Sequence, residues 1–160
     1  MSIIIRKIEE RDNEQLAGII KQIFDEYELP KEGTVYNDPT TNNLNQLFQK
    51  AGSLYWVAEE DGQLLGGCGI YLTPGLPDKF AELVKFYLQP AARGKGIGKL
   101  LMEKCCVSAK ELGYQYLYLE SFHELLAAVS LYESGGFCRI DHALGNSGHY
   151  ACNIWMVKHL

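Results

Sequence analysis

Between Leu88 and Lys99 the chain reads Leu88-Gln89-Pro90-Ala91-Ala92-Arg93-Gly94-Lys95-Gly96-Ile97-Gly98-Lys99. Glycine at every second position lets the backbone turn successive N–H groups toward one point and approach whatever lies there. If a strand ends and a helix begins here, the N–H nest and the helix N-terminus together favour a pyrophosphate-like anion. Arg93, Lys95 and Lys99 add positive charge. A Walker A loop would require G-x-x-x-x-G-K-[ST], which is absent. A dinucleotide fingerprint would require G-x-G-x-x-G after the first strand of a βαβ unit; here the glycines alternate and follow a hairpin.

The other reactive side chains point to less. Cys68, Cys105, Cys106, Cys138 and Cys152 are odd in number and form no C-x-x-C, so they read as reduced thiols packed as small hydrophobes. His149 and Cys152 are the nearest approach to a metal pair, and two ligands without a second pair at zinc spacing make no metal site. No base adjoins Cys68 or Cys152, so neither is expected to act as a nucleophile.

The elements that must position the glycine loop follow from periodicity. Ile3 to Ile8 reads as a strand. A helix opens at Arg11-Asp12-Asn13, with Asp12 or Asn13 as cap and Leu16, Ile19, Ile20, Ile23 and Phe24 at helical spacing. After Pro30 a polar loop runs to Asn43, long enough to be mobile or functional, and a short helix carries Leu44, Leu47 and Phe48. Leu54 to Ala58 and Leu64 to Leu72 form a hairpin about Glu60-Asp61-Gly62. Phe80 to Leu88 is an apolar strand stopped by Pro90. Gly94 to Leu112 is a long helix ended by Gly113, and Tyr114 to Glu120 is the next strand. A helix holding Leu125, Val129, Leu131 and Tyr132 stops at Gly135-Gly136. Phe137 to Ile140, a turn around Gly145 to Gly148, and the strand Ala151 to Val157 complete a single mixed α/β domain over residues 1–160.

Composition agrees with that class. The chain has 160 residues, of which 47% are hydrophobic and 22% charged. That length suits one domain and a core that needs no staples. A net charge of −5 argues against nucleic-acid binding, because a phosphate backbone demands a basic footprint. No apolar run approaches the roughly 18 residues of a membrane span, and the apolar start is only three residues long. A cytoplasmic protein is therefore expected. Tyr150, Trp155 and Met156 in the late hairpin offer apolar surface for a homodimer or, equally, for packing on the helices.

Arg93-Gly94-Lys95-Gly96-Ile97-Gly98 resembles the [QR]-x-x-G-x-[GA] signature of the GCN5-related N-acetyltransferase (GNAT) family. Leu131-Tyr132-Glu133-Ser134-Gly135-Gly136-Phe137 is similar to that family's late L-Y-x-x-x-G-F segment, and Ala81 to Pro90 to its fourth strand. The resemblance is clear from Leu54 to Phe137, and the order of elements matches throughout. It implies a mostly antiparallel twisted sheet of about seven strands, flanked by four helices and splayed between strands four and five. It also implies acetyl-CoA as donor with no metal. The pyrophosphate would meet backbone N–H groups from Arg93, Gly94, Lys95, Gly96, Ile97 and Gly98, beside Lys99. The pantetheine arm would pair with Phe86, Tyr87 and Leu88. The family's usual Asn contact to that arm falls on Leu125 here, leaving Ser121 or His123 to replace it.

A free alkyl amine has a pKa of about 10.4, so roughly one molecule in 2,500 is a neutral nucleophile at pH 7. Acetyl transfer to an amine therefore needs a base, a polarised thioester carbonyl and a proton for the departing thiolate. The resemblance puts the base at Glu82, with Glu120 or His149 in reserve, and the acid at Tyr132. Tyr36, Asn37, Asp38 and Asn146 are candidates for the acceptor mouth. The function implied is direct acetyl transfer to a primary amine of a small or amino-acid-like molecule. A peptide or protein amine and a non-catalytic acyl-CoA-sensing module are the alternatives.

Overall fold

The structure, a computed structural model, describes residues 2–160. Seven strands form one sheet: β1 (Ile3–Lys7), β2 (Leu54–Glu60), β3 (Gln63–Tyr71), β4 (Phe80–Leu88), β5 (Tyr116–Ser121), β6 (Cys138–Ile140) and β7 (Ile154–His159), in the order β1-β2-β3-β4-β5-β7-β6. Every neighbouring pair is antiparallel except β4 and β5. The helices are α1 (Asn13–Glu26), α2 (Leu44–Leu47), α3 (Ile97–Glu111) and α4 (Leu126–Ser134).

The sheet separates two apolar cores. Leu16, Ile20 and Phe24 from the inner stripe of α1 pack with Tyr55, Val57 and Leu44 on one face. Ile97, Leu101 and Cys105 of α3, with Val129 and Tyr132 of α4, cover Leu117, Leu119 and Met156 on the other. Each fully buried Leu or Ile contributes roughly 1.5–3 kcal/mol, enough to fix which face each helix presents.

Element boundaries moved where local chemistry opposed the pattern. The long helix begins at Ile97, not Gly94, because Gly94 and Gly96 take φ of 77° and 78°, outside any right-handed helix. Its end is as expected. Gly113 (φ 95°) lets Tyr114 N–H reach the Ala109 carbonyl at 3.1 Å and its own N–H reach Lys110 at 3.1 Å. Asp12 is the residue before α1 but does not cap it, since its carboxylate takes two Arg6 N–H bonds at 2.8 and 2.9 Å and the Glu9 amide at 2.8 Å. The last strand starts at Ile154, because Ala151 N–H leaves the sheet for the Gly33 carbonyl at 3.1 Å. Met156 is fully buried and so offers no dimer surface, whereas Tyr150 is 75% exposed. Among the described residues no helix is long and apolar enough to cross a membrane.

Candidate active site

β4 and β5 are in register only at Phe80–Tyr116, Ala81–Leu117 and Glu82–Tyr118. Beyond Glu82 they part, and the flank of β4 that faces β5 is left without a strand neighbour. A bulge occurs within this stretch. Gly67 pairs with Tyr87 and Gly69 with Val84, so Lys85 and Phe86 stand opposite Cys68 alone. Lys85 takes φ of 50°, a costly conformation for a side chain of its size. Tyr55 holds it there, donating its hydroxyl to the Lys85 carbonyl at 2.7 Å. Gly67 and Gly69 make room for the Tyr55 ring, since a Cβ at either would come within 2.3 or 2.6 Å of it.

The parted strands open a groove of about 290 Å³, walled by Phe86, Tyr87, Leu88, Leu125, Ala128 and Leu131 and closed by the glycine loop. From Gly94 to Gly98 no amide donates to a backbone carbonyl among the described residues, leaving a run of free N–H groups at the start of α3. Nothing lies within 4 Å of a Cβ placed on Gly94 or Gly96, whereas one on Gly98 would sit 3.2 Å from Leu131. The loop thus fits an anion approaching Gly94 and Gly96, with Gly98 packed close beneath. Ile97 is buried, so only its amide faces that site. Lys99 borders the groove with an exposed ammonium 3.9 Å from Glu103.

Arg93 departs from expectation. Its amide donates to the Pro90 carbonyl at 3.2 Å. Its guanidinium binds both Glu26 oxygens at 2.8 and 3.1 Å and the Leu88 carbonyl at 3.2 Å. Both its backbone and its charge are engaged, and Arg93 ties the loop to α1 across the groove instead of joining the free amides.

Phe86, Tyr87 and Leu125 also border a deeper cavity that holds Glu82, Glu120, Ser121, Tyr132, His149 and Cys152. Glu82 is 3% exposed and accepts Thr73 Oγ1–H at 2.6 Å. Burial, aided by the charge of Glu120, pushes its carboxyl from 4.5 up to about 8. Glu120 accepts Tyr118 Oη–H at 2.7 Å and Ser147 Oγ–H at 2.5 Å, so it anchors the late loop. Tyr132 is wedged edge-on between Phe86 and Phe137, at 5.8 and 5.9 Å, and burial holds its phenol far above its usual range, in the protonated form. Burial likewise raises Cys152 to about 12, so it is a thiol and not a nucleophile.

On the far side of Glu82 a cleft of about 280 Å³ opens between the two long loops. His149 Nε2 meets Asp38 Oδ2 there at 3.0 Å, with Asn146 nearby. Asn37 lies just outside, and Tyr36 turns inward onto Phe24. His123 is exposed and bound to Asn153, which leaves Ser121 as the polar group beside Leu125. Lys85, Thr73 and Ser147 complete the site, and sequence reasoning did not select them for it. The signal for Lys85 was a charge inside the apolar run Leu83-Val84-Lys85-Phe86.

Comparison with known proteins agrees with this geometry. The chain is 38% identical over 160 residues to the uncharacterized N-acetyltransferase YjgM of Escherichia coli K12, covering 99% of this chain and 96% of that one. An acetyltransferase of the GNAT family from Staphylococcus aureus Mu50 superposes with a TM-score of 0.87 at 22% identity, over 99% of both chains. The PaiA N-acetyltransferase of Thermoplasma acidophilum, solved in complex with coenzyme A, superposes with a TM-score of 0.75 at 22% identity over the whole of both. Residues 20–137 match the Acetyltransferase (GNAT) family profile, and with the split sheet, the β4 bulge and the glycine cradle in place, this chain belongs to that family.

Proposed function

We propose that the protein transfers acetyl from acetyl-CoA to a primary amine of a small or amino-acid-like molecule, in a ternary complex and without an acyl-enzyme. The observation that carries this reading is the continuity of the site. The groove beneath the free amides and the cavity holding Glu82 share Phe86, Tyr87 and Leu125, so a cofactor arm entering from the loop ends beside the carboxyl. The free amides from Gly94 to Gly98 would receive the pyrophosphate, and the unpaired flank of β4 from Phe86 to Leu88 would receive the arm.

Glu82 takes the proton of the incoming ammonium. The amine nitrogen then attacks the thioester carbon, the carbon–sulfur bond breaks, Tyr132 protonates the leaving thiolate, and the second proton lost by the nitrogen restores the Tyr132 phenol. The raised pKa of Glu82 serves this task. Moving a proton from an amine of pKa about 10.4 costs about 8 kcal/mol to a carboxylate at 4.5, but about 3 kcal/mol to one at about 8.

The test is CoA release over a panel of amines, amino acids and peptides, with each product identified by mass spectrometry. Acetylation of a small amine supports the proposal. Turnover of peptides alone would move the acceptor class, and tight acetyl-CoA binding with no turnover would make the protein a sensor.

A further inference from the structure

Around the cleft beyond Glu82 every acid has a hydrogen-bond partner, and one base has none. Glu82 is bonded to Thr73, and Glu120 to Tyr118 and Ser147. Asp38 accepts His149 Nε2 at 3.0 Å, the Thr40 amide at 3.0 Å and Thr40 Oγ1–H at 2.7 Å. The Lys85 side chain is 4% exposed, and its Nζ is the sole buried side-chain nitrogen or oxygen without a hydrogen-bond partner among the described residues. The nearest carboxylate, Asp38 Oδ2, stands 3.9 Å away and is already engaged by His149. Stripping an ammonium of water costs several kcal/mol unless acceptors replace the water. Burial accordingly lowers the pKa of Lys85, a residue at φ 50° that lines the cleft next to Glu82.

What the cleft lacks is therefore an oxygen acceptor for a lysine, close to the carboxyl that takes the amine. Glu82 and Lys85 are three residues apart on one bulged strand, so their Cα atoms lie within about 10 Å and both side chains border the same cleft. A molecule that binds both needs an amine and an oxyanion, and an α-amino acid is the most compact that carries the two. We propose that the acceptor is a free α-amino acid, or a close analogue, whose carboxylate is held by Lys85 while its amine faces Glu82. This rests on the acetyl-transfer reading above. The Asp38 oxygens are already engaged by His149 and Thr40, which leaves Lys85 Nζ to an incoming carboxylate. Lys85 would then select acceptors by the group beside the amine, leaving the rest of the cleft to choose the side chain.

Matched acceptors test it: phenylalanine, phenylalaninamide and 2-phenylethylamine, and methionine, methioninamide and 3-(methylthio)propylamine, assayed by CoA release with the full chain. The expected result is kcat/KM at least 30-fold higher for an acid than for its decarboxylated partner. Lys85→Met should lower that ratio at least tenfold while the variant still binds acetyl-CoA. Equal or better turnover of the decarboxylated amines overturns the proposal, as does a ratio that Lys85→Met leaves in place. Amides as good as acids overturn the carboxylate and leave acetyl transfer standing. If no amine is turned over, the acetyl-transfer reading fails and this one with it. Should Lys85→Met not fold, Lys85→Gln and the wild-type ratio decide.

Discussion

Asp38 and His149 are 111 residues apart in sequence and 3.0 Å apart in space. Their contact joins the first long loop to the late loop over the cleft beyond Glu82. The His149 bond, with those of Thr40, holds the Asp38 carboxyl well below the usual carboxylate range against the opposing effect of burial. Neither residue touches the glycine loop, so their contribution belongs to the acceptor.

Breaking this clasp should therefore raise the acceptor KM and spare the cofactor. Asp38→Ala and His149→Ala are each expected to raise it about tenfold, with acetyl-CoA affinity changed less than twofold. The double variant should be no worse than the poorer single, since both lose one interaction. Steady-state kinetics in the two substrates, with calorimetry for acetyl-CoA, check this. Additive losses would mean that the two residues act separately.

The cofactor end depends on backbone, and the glycine loop gives a direct comparison. Gly96 holds φ of 78° in open space, so a β-branched side chain there meets both strain and the incoming phosphate. One exposed lysine contributes little. Gly96→Val should weaken CoA binding by more than tenfold and Lys95→Ala by less than threefold. Calorimetry giving the reverse order would shift the anchor to side-chain charge.

Much of this site was legible in the sequence because its parts are local. An apolar strand, a proline and alternating glycines within Phe80 to Lys99 describe a strand, a turn and a helix start without tertiary information. Gly113 and Gly135-Gly136 mark helix ends for the same reason. The misplaced start of the last strand reflects competition: Ala151 suits a strand but bonds to Gly33, from the first long loop. What stayed hidden depends on distant partners. Nothing near Arg93 announces Glu26, 67 residues earlier, and nothing near Asp38 announces His149. Lys85 was visible as a charge in an apolar strand, but only the bulge and the missing hydrogen-bond partner distinguish it from a strand-edge lysine.

The Arg93–Glu26 pair separates two roles for this arginine. If Arg93 acts by charge on the cofactor, Glu26→Gln frees the guanidinium and tightens CoA binding. If it is a strut between α1 and the loop, Glu26→Gln weakens binding. The bonds to both Glu26 oxygens and to Leu88 support the strut. The pair is partly exposed, so the loss should be about threefold, equivalent to less than about 1 kcal/mol. Calorimetry at low and moderate salt reads the sign.

Acid and base are tested together through pH. Burial raises Glu82 from 4.5 to about 8, so folding favours its protonated form. The stabilisation this gives is complete below pH 4.5 and is lost as pH rises through about 8, at about 1.4 kcal/mol per unit across that window. Glu82→Gln should remove this slope from the urea unfolding free energy. In catalysis the base must be ionised, so wild-type kcat/KM should climb toward pH 8, and Glu82→Gln should lose roughly 10²–10⁴-fold at neutral pH. Above the acceptor amine's own pKa the nucleophile arrives neutral, and the loss should shrink. Tyr132→Phe should lower kcat over the same range with acetyl-CoA affinity nearly unchanged, because the ring still packs between Phe86 and Phe137. With chemistry shown to be rate-limiting, losses below about threefold in both variants would reject these two assignments. Glu120 and His149 would then be next to test. Acetyl transfer itself would survive that result, because it stands on the glycine cradle and the split of β4 from β5.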